Sequence, residues 1–249
     1  MQSDADLRAA WEGYWAAHYE DDRRARRLRT VATDYPVKRG VVVSYPALLD
    51  AGLSETELRT RPDRTLGVGV ETFASLVRGL DLDDAWDRSF DVMILHVDDL
   101  PGGFKPFDSN LMAHLNELVQ LEVTFDSPLE RISDLMEAAF VCTDGHVTRI
   151  HQPGRRRRDI SFCPACGDPV YLEERESLFA EIQRVPVSGP GFDGITAILG
   201  GRRWKGLTVG EGDTAVVNGV PRADFREDST HGSAYLDVLH VEVEEDLPF

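Results

Sequence analysis

Residues 140–169 read FVCTDGHVTRIHQPGRRRRDISFCPACGDP, and this segment contains all three cysteines of the chain. Cys163 and Cys166 form a C-x2-C pair, and the glycine that follows lets the backbone turn tightly around a metal ion. A structural zinc ion needs four ligands in a tetrahedron, so a second pair of ligands is required. Cys142 and His146 lie upstream and supply a C-x3-H pair. The spacing predicts a β-ribbon that binds Zn²⁺ through these four side chains.

Two alternatives remain at this point. His151 competes with His146 as the fourth ligand, because it also lies on the near side of the loop. The three cysteines could also be unrelated in a reducing cytosol, with Cys142 simply a small buried residue. The two half-sites flank a turn rich in glycine, proline and arginine, and this arrangement favours the metal site over unrelated thiols.

Composition indicates a globular protein with an unusual charge balance. The chain has 249 residues, of which 42% are hydrophobic and 29% are charged, enough for one large domain or two small ones. The formal net charge is −17, and only three of the 27 basic residues are lysines. This acidic, lysine-poor composition resembles proteins of a salt-saturated cytoplasm, as in haloarchaea, although an ordinary acidic protein is the alternative. Such a charge argues against a nucleic-acid partner unless the basic residues are grouped, as several are here.

The sequence gives no sign of a membrane or secreted protein. No segment approaches the roughly 20 apolar residues of a membrane span, and MQSDADLRAAW lacks the profile of a signal peptide. Three cysteines, two of them in a C-x2-C pair, do not form a secreted disulfide framework. We therefore expect a cytoplasmic protein.

The first third of the chain is predicted to be helical. Residues 4–33 form a helix in which apolar side chains recur at three- and four-residue spacing, namely Leu7, Trp11, Tyr14, Trp15 and Tyr19. A short strand at residues 40–45 precedes a helix opened by Pro46. Ser54 begins a capping box, and Pro62 should end that helix before another at residues 63–79. We expect a helical domain at residues 1–87.

From Phe90 onward the hydrophobic period becomes that of β-strands. Six strands are predicted in this part, at residues 92–97, 118–125, 179–187, 194–199, 214–220 and 234–244. Many short strands separated by turns are typical of a small Greek-key barrel of the OB type. We therefore predict an α+β protein: a helical bundle at residues 1–87, then an OB-fold barrel at residues 88–249, with the zinc ribbon inserted at about residues 140–170.

Several segments, in order, are similar to one protein family. They are LNELVQLEV at 115–123, LMEAAFVC at 135–142, the C-x2-C pair, FAEIQR at 179–184 and WKGLTVGEGDTAVVNG at 204–219. Together with VVVSYPALL at 41–49, they resemble the N-terminal domain of the minichromosome maintenance (MCM) replicative helicases. The resemblance covers nearly the whole chain.

The resemblance implies a helical A subdomain, a zinc ribbon and an OB barrel that carries the ribbon. It also implies a homo-oligomeric ring, usually a hexamer, whose channel holds DNA, with the ribbons helping two rings to meet head to head. Full-length MCM subunits are a further partner that it implies. The chain lacks the G-x4-G-K-[ST] phosphate loop of the family's ATPase module, and it has no combination of nucleophile, base and orienting acid. We therefore expect no enzymatic activity from this chain.

Departures from the family pattern concern DNA binding. The family places arginines just before the E-A-A-F-x-C strand, where this chain has Ile132, Ser133 and Asp134. The family's basic channel hairpin corresponds to residues 186–193, which contain no basic residue. The remaining DNA-binding candidates are Arg155, Arg156, Arg157 and Arg158 at the expected ribbon tip, together with Arg184, Arg202, Arg203 and Lys205.

Each basic cluster has a second interpretation. The four consecutive arginines could form a solvated turn or pair with acidic surfaces, and Trp204 could be buried rather than stacked on a base. No cluster has a pattern that reads base edges, so binding should be independent of DNA sequence. Two functions follow: a non-catalytic module that binds DNA and assembles into rings, or an interaction protein that assembles with MCM subunits without binding DNA. Whether the chain is a stand-alone protein or part of a longer helicase stays open.

Overall fold

The computed structural model divides into a helical part and a β-rich part. It describes residues 2–19, 35, 40–78, 93–104, 111–152, 157–200, 209–225 and 232–243. The helices are α1 Asp4–Tyr19, α2 Tyr45–Asp50, α3 Glu55–Thr60 and α4 Pro62–Arg78, with two 3₁₀ turns at Gly102–Phe104 and Leu111–His114. The strands are β1 Gly40–Ser44, β2 Ile94–Asp98, β3 Val119–Phe125, β4 Glu130–Cys142, β5 Val147–His151, β6 Val170–Leu172, β7 Leu178–Gly189, β8 Phe192–Leu199, β9 Thr214–Phe225 and β10 Gly232–Val243.

An aromatic cluster packs α1 against α4. The rings of Trp11 and Trp15 stack with centroids 5.4 Å apart, and Trp15 meets Phe73 edge-on at 5.3 Å. The indole N–H of Trp11 donates to the Thr65 carbonyl at 2.8 Å, so its polar atom is satisfied inside the core. The predicted apolar face of the first helix is confirmed at Leu7, Trp11, Tyr14 and Trp15, which are buried. The side chain of Tyr19 and residues 20–33 of the predicted helix lie outside what the structure describes.

Local sequence signals set the helix ends. The Ser54 hydroxyl accepts from the Glu57 backbone N–H at 3.4 Å, as expected for the first residue of a capping box. The next helix boundary falls at proline: α3 ends at Thr60, and Pro62 begins α4. These predicted boundaries are confirmed.

A parallel pair of strands joins the helical part to the barrel. β1 pairs with β2 in parallel, from Gly40 opposite Ile94 onward. On the other side of β2, His96 Nδ1 lies 2.7 Å from the Leu239 carbonyl oxygen of β10, and the Asn218 amide of β9 donates to the Val97 carbonyl at 3.2 Å. The predicted domain boundary at residue 87 falls outside the described residues. β1 precedes this boundary in the chain and β2 follows it, and the two strands pair with each other.

Five strands close into a barrel. The order runs β3-β9-β10-β8-β7 and returns to β3, where Thr124 faces Ser188 and Phe125 faces Val187. β8 and β10 are parallel and the other neighbouring strands in this ring are antiparallel. In chain order this is a 1-2-3-5-4-1 barrel, the Greek-key arrangement of an OB fold. The predicted α+β class is confirmed.

Alternating side chains fill the barrel. Val119, Leu121 and Val123 of β3 point inward, and facing strands contribute Val185 and Val217 to the same core. The ribbon strands β4, β5 and β6 are inserted between the first two barrel strands, β3 and β7. Because β4 pairs with β7 over much of its length, the ribbon extends from the barrel wall on a continuous antiparallel stem.

None of the helices in the described ranges is long and apolar enough to cross a membrane.

Candidate metal centre

The first half-site lies where β4 turns into β5. Cys142 is the last residue of β4 and its side chain is buried. The Gly145 N–H donates to the Cys142 carbonyl at 3.0 Å, and the Cys142 N–H donates to the His146 carbonyl at 3.2 Å. Gly145 has φ = +81°, a conformation that favours glycine. This tight turn brings the His146 ring beside the Cys142 sulfur.

The second half-site is the knuckle between Cys163 and Asp168. The Cys163 N–H donates to the Asp168 carbonyl at 2.7 Å, and the Gly167 N–H donates to the Cys163 carbonyl at 2.8 Å. Gly167 has φ = +79°, as the sequence prediction of a tight turn requires. Cys163 is buried and Cys166 is exposed, so the knuckle presents one sulfur inward and one at its open side.

The two half-sites converge on one point. The Sγ atoms of Cys142, Cys163 and Cys166 and a ring nitrogen of His146 all lie within 4.8 Å of one another. Cys142 Sγ lies 3.5 Å from His146 Nδ1 and 3.6 Å from Cys166 Sγ. Two thiolates bound to zinc at about 2.3 Å in a tetrahedron would lie about 3.8 Å apart. The spacing and the donor set therefore fit a four-coordinate structural zinc ion.

The thiols of Cys163 and Cys166 differ in how readily they lose a proton. The backbone N–H of Cys166 lowers the pKa of Cys163 to about 7, helped by the N–H of Ala165. At Cys166 the Asp168 N–H acts to lower the pKa, but partial desolvation and the sulfurs of Cys163 and Cys142 raise it to about 12. One thiolate forms readily, and its negative charge opposes ionisation of the next. A bound divalent cation removes this opposition, because metal ligation requires and stabilises the thiolate form.

His151 lies away from this cluster. It is the last residue of β5 and faces Glu137 across the strand pair, with Nε2 at 3.7 Å from the Glu137 carboxylate. His146 precedes the first residue of β5 and faces the metal site instead. The structure thus brings His146, and not the competing histidine, to the three cysteines.

The four consecutive arginines were predicted to lie at the ribbon tip. This is wrong for Arg157 and Arg158, the two of them that the structure describes. The Gln152 side chain accepts from the Arg158 N–H at 2.6 Å and donates to the Arg158 carbonyl at 3.0 Å, and the Gln152 N–H donates to the Met136 carbonyl. Met136 precedes Cys142 by six residues on β4, about 20 Å of extended chain. Arg157 and Arg158 therefore lie at the stem of the ribbon, because β5 runs away from the candidate metal site.

The other DNA-binding candidates are dispersed. Arg184 lies on β7 and forms an ion pair with Glu130 at 2.6 Å, and Arg157 pairs with Asp159 at 2.6 Å. The described arginines among the candidates do not form one cluster with each other. The remaining candidates lie outside the described residues, as does Trp204, and they are Arg155, Arg156, Arg202, Arg203 and Lys205.

The sequence reasoning missed an apolar face on the ribbon. Val141 faces Val147 on one side and Tyr171 on the other, and Phe162 bridges to Pro169, two residues before Tyr171. Phe162 is 64% exposed and Tyr171 is 56% exposed. Val141 directly precedes Cys142, and Phe162 directly precedes Cys163. Neighbouring residues of a strand point to opposite faces, so this pattern in the sequence indicated an apolar face opposite the ligands.

Comparisons with known proteins identify the fold. The sequence matches no protein-family model and no curated protein. A solved structure of the N-terminal domain of an archaeal MCM is similar to this chain, with a TM-score of 0.74 and 19% sequence identity. The match covers 97% of this chain and 100% of that one. The match thus spans nearly all of this chain, which has the fold of an archaeal MCM N-terminal domain.

Proposed function

We propose that this chain is an MCM-type N-terminal module that acts in DNA replication: it assembles into rings and binds DNA without base specificity or catalysis. The observation that carries this proposal is the whole-length match to the archaeal MCM domain, with a ribbon between the first two strands of a five-stranded barrel. In this proposal residues 1–87 form the helical A subdomain and residues 88–249 form the barrel with its ribbon.

Zinc has a structural role in the proposal. Cys142, His146, Cys163 and Cys166 hold Zn²⁺, and the complete set of four protein ligands leaves no open position for a substrate or water. The ion would contribute folding free energy to a small sheet that has little core of its own.

Assembly is supported by the ribbon's outer face. Phe162, Tyr171 and Val147 are exposed on the side of the sheet opposite the ligand cysteines. Exposed apolar side chains that lie together commonly mark an interaction surface. A homo-oligomeric ring that meets a second ring through its ribbons would cover this face, and full-length MCM subunits could supply the same partner surface.

DNA binding would rest on Arg158, which forms no ion pair with another described residue, and on basic residues that lie outside the described ranges. Arg158 is exposed at the ribbon stem, and the cluster of Arg202, Arg203 and Lys205 adds charge elsewhere in the chain. Arginine forks bind phosphate oxygens whatever the base, so the affinity should not depend on sequence.

A second candidate function is assembly without DNA. Arg184 and Arg157 are each already paired with a carboxylate, as the short distances to Glu130 and Asp159 show. Residues 186–193, at the turn between β7 and β8, include Asp193, whose carboxylate lies 2.7 Å from the Ser188 hydroxyl, and they contain no basic residue. A carboxylate repels phosphates at the position where the family has a basic hairpin, which favours this alternative.

A DNA titration separates the two functions. The native protein is titrated with labelled single- and double-stranded DNA at two salt concentrations, and the variant R157S/R158S is compared with the control R8S/R175S. If DNA is the ligand, the stem variant binds more weakly on every sequence. On single strands its salt slope falls by roughly 0.7 for each phosphate that the variant no longer neutralises. No binding by the oligomer at low salt would reject DNA and leave the assembly function.

Light scattering tests assembly. The net charge of −17 makes subunits repel, and the Debye length shrinks from about 10 Å at 0.1 M salt to about 3 Å at 1 M. We therefore expect larger assemblies at high salt. F162S/Y171S should reduce double-ring species while keeping zinc, whereas V42S, an exposed apolar position in the helical part, serves as the control. A monomer at every salt concentration would contradict ring formation.

A further inference from the structure

We propose that Thr143 and Asp168 form a positioning pair for the metal centre, holding the two half-sites in the register that zinc requires. The proposal rests on the proposed zinc site. Thr143 belongs to the β4–β5 turn, directly after the ligand Cys142, and Asp168 closes the knuckle two residues after the ligand Cys166. The Thr143 hydroxyl donates to an Asp168 carboxylate oxygen at 3.0 Å.

Each half-site is closed by backbone hydrogen bonds between its own residues. The Cys142–His146 turn has two such bonds, and the knuckle has one from Cys163 to Asp168 and one from Gly167 to Cys163. These bonds fix the two ligands within a half-site relative to each other. They leave open how the two pairs are placed against one another, and four-coordinate zinc is sensitive to that placement.

The backbone pairing of β4 with β6 ends before it reaches Thr143 and Asp168. β4 and β6 pair antiparallel, and their last paired residues are Cys142 and Val170. The next residue toward the knuckle is Pro169, which has no N–H to extend the ladder. The Thr143–Asp168 bond lies directly beyond this point. This hydrogen bond between side chains connects the two half-sites at the point where the proline ends the backbone pairing.

The Asp168 carboxylate is also placed next to a ligand. Carboxylate oxygens of Asp144 and Asp168 and the sulfur of Cys166 lie within 4.8 Å of one another. A carboxylate so near a thiolate would repel it if it were free to turn. The bond from Thr143 holds one oxygen of Asp168, so it fixes the carboxylate orientation as well as the spacing of the half-sites. Outer partners that orient ligands typically change metal affinity by about 10–100-fold when they are removed.

The test measures zinc affinity of the whole chain by competition with a chromophoric chelator. T143V, which replaces the hydroxyl with a methyl group, and D168A, which removes the acceptor, should each weaken zinc binding by about tenfold, the lower end of that range, because the bond is exposed. T143S keeps the hydroxyl and should bind as the native chain does. The double variant T143V/D168A should be no weaker than either single one, since both remove the same bond.

Asp144→Ala is the matched control. It removes a carboxylate of the same cluster, and no hydrogen bond from Asp144 to the other half-site is among those seen in the described residues. D144A should leave the affinity within about twofold of native, at the scale of experimental error. Equal weakening by D144A and D168A would show that charge near Cys166, and not the bond, sets the affinity, and would overturn the proposal.

Cobalt substitution gives a readout that a change in overall stability would not move. The native chain loaded with Co²⁺ should show the visible absorption of a tetrahedral site with three thiolates and one imidazole. T143V at saturating Co²⁺ should show a changed band pattern, and T143S the native one. Native affinity and spectrum in T143V would overturn the positioning pair while leaving the zinc site standing. Absence of zinc binding by the native chain would instead reject the proposed zinc site itself.

Discussion

The helical part and the ribbon differ in the exposure of their aromatic side chains: Phe140 of β4 is buried like the aromatic residues of the helical part, but two other aromatic residues of the ribbon are not. In the helical part Trp11, Trp15 and Phe73 are fully or almost fully buried between α1 and α4. In the ribbon Phe162 and Tyr171 are more than half exposed, on the face away from the metal ligands. A helix pair is stabilised by the apolar surface it buries, about 25 cal/mol per Å². If the candidate site binds a metal ion as we propose, the ion would supply the ribbon with free energy that side-chain packing supplies in the helical part.

Removal of a zinc ligand should have the largest effect, and we expect this effect to be confined to the ribbon. Cys163→Ala leaves three ligands, and structural zinc in small fingers contributes about 10–16 kcal/mol of apparent binding free energy. We expect loss of zinc by elemental analysis and loss of amide-exchange protection in β5 and β6. Protection in α1 and α4 should stay. Global unfolding of the variant would show that the ribbon is not the separate unit that the contrast in burial implies.

A core truncation in the helical part should have the converse effect. Phe73 is fully buried, and Phe73→Ala should lower the free energy of unfolding by about 3–5 kcal/mol. Denaturant unfolding followed by tryptophan fluorescence measures this change, because Trp15 contacts the Phe73 ring. The zinc content of the folded variant should be native. Zinc loss without denaturant would contradict the independence of the two regions.

Arg222 connects the helical part to the barrel, and its removal should have a smaller effect. This β9 side chain is 17% exposed, pairs with Asp63 of α4 and donates to Asn116 at 2.9 Å. Arg222→Met should destabilise the chain by about 1–3 kcal/mol, because charged partners lose their hydrogen bonds. Arg8→Met is the control: its pair with Glu71 is exposed, and such pairs contribute about 0–1 kcal/mol. Denaturant unfolding compares the two, and equal losses would argue against a connecting role.

The smallest effect concerns the Glu130–Arg184 pair at the start of the ribbon stem. Hydrogen bonding from Arg184 lowers the pKa of Glu130 below its ordinary value. The stabilisation of the folded state by this ion pair is therefore fully present above the ordinary pKa of glutamate. It is lost as the pH falls through the lowered pKa of Glu130. In Arg184→Met the Glu130 pKa should return toward its ordinary value, which a carboxyl-detected NMR titration measures. An unchanged pKa would mean that Arg184 is free to contact phosphate.

The sequence predicted most elements because their signals are local. The capping box at Ser54, the proline at α4 and the β-branched run of β1 each fix backbone conformation within a few residues. The barrel strands also fell close to their predicted positions, since alternation has a fixed period of two. The parallel pairing of β1 with β2 was not predicted, because it joins segments far apart in the chain.

By itself the sequence determined the chemistry of the metal site and the class of fold. Three cysteines and a nearby histidine are the donors that zinc prefers, and their C-x3-H and C-x2-C spacing is local enough to read directly. Only the tertiary structure decided which histidine joins them. His146 directly precedes β5 and His151 ends it, and antiparallel pairing with β4 places one beside the three cysteines and the other beside Glu137. The same strand direction carries Arg158 to the stem, because an extended strand separates its two ends by a distance that no side chain spans.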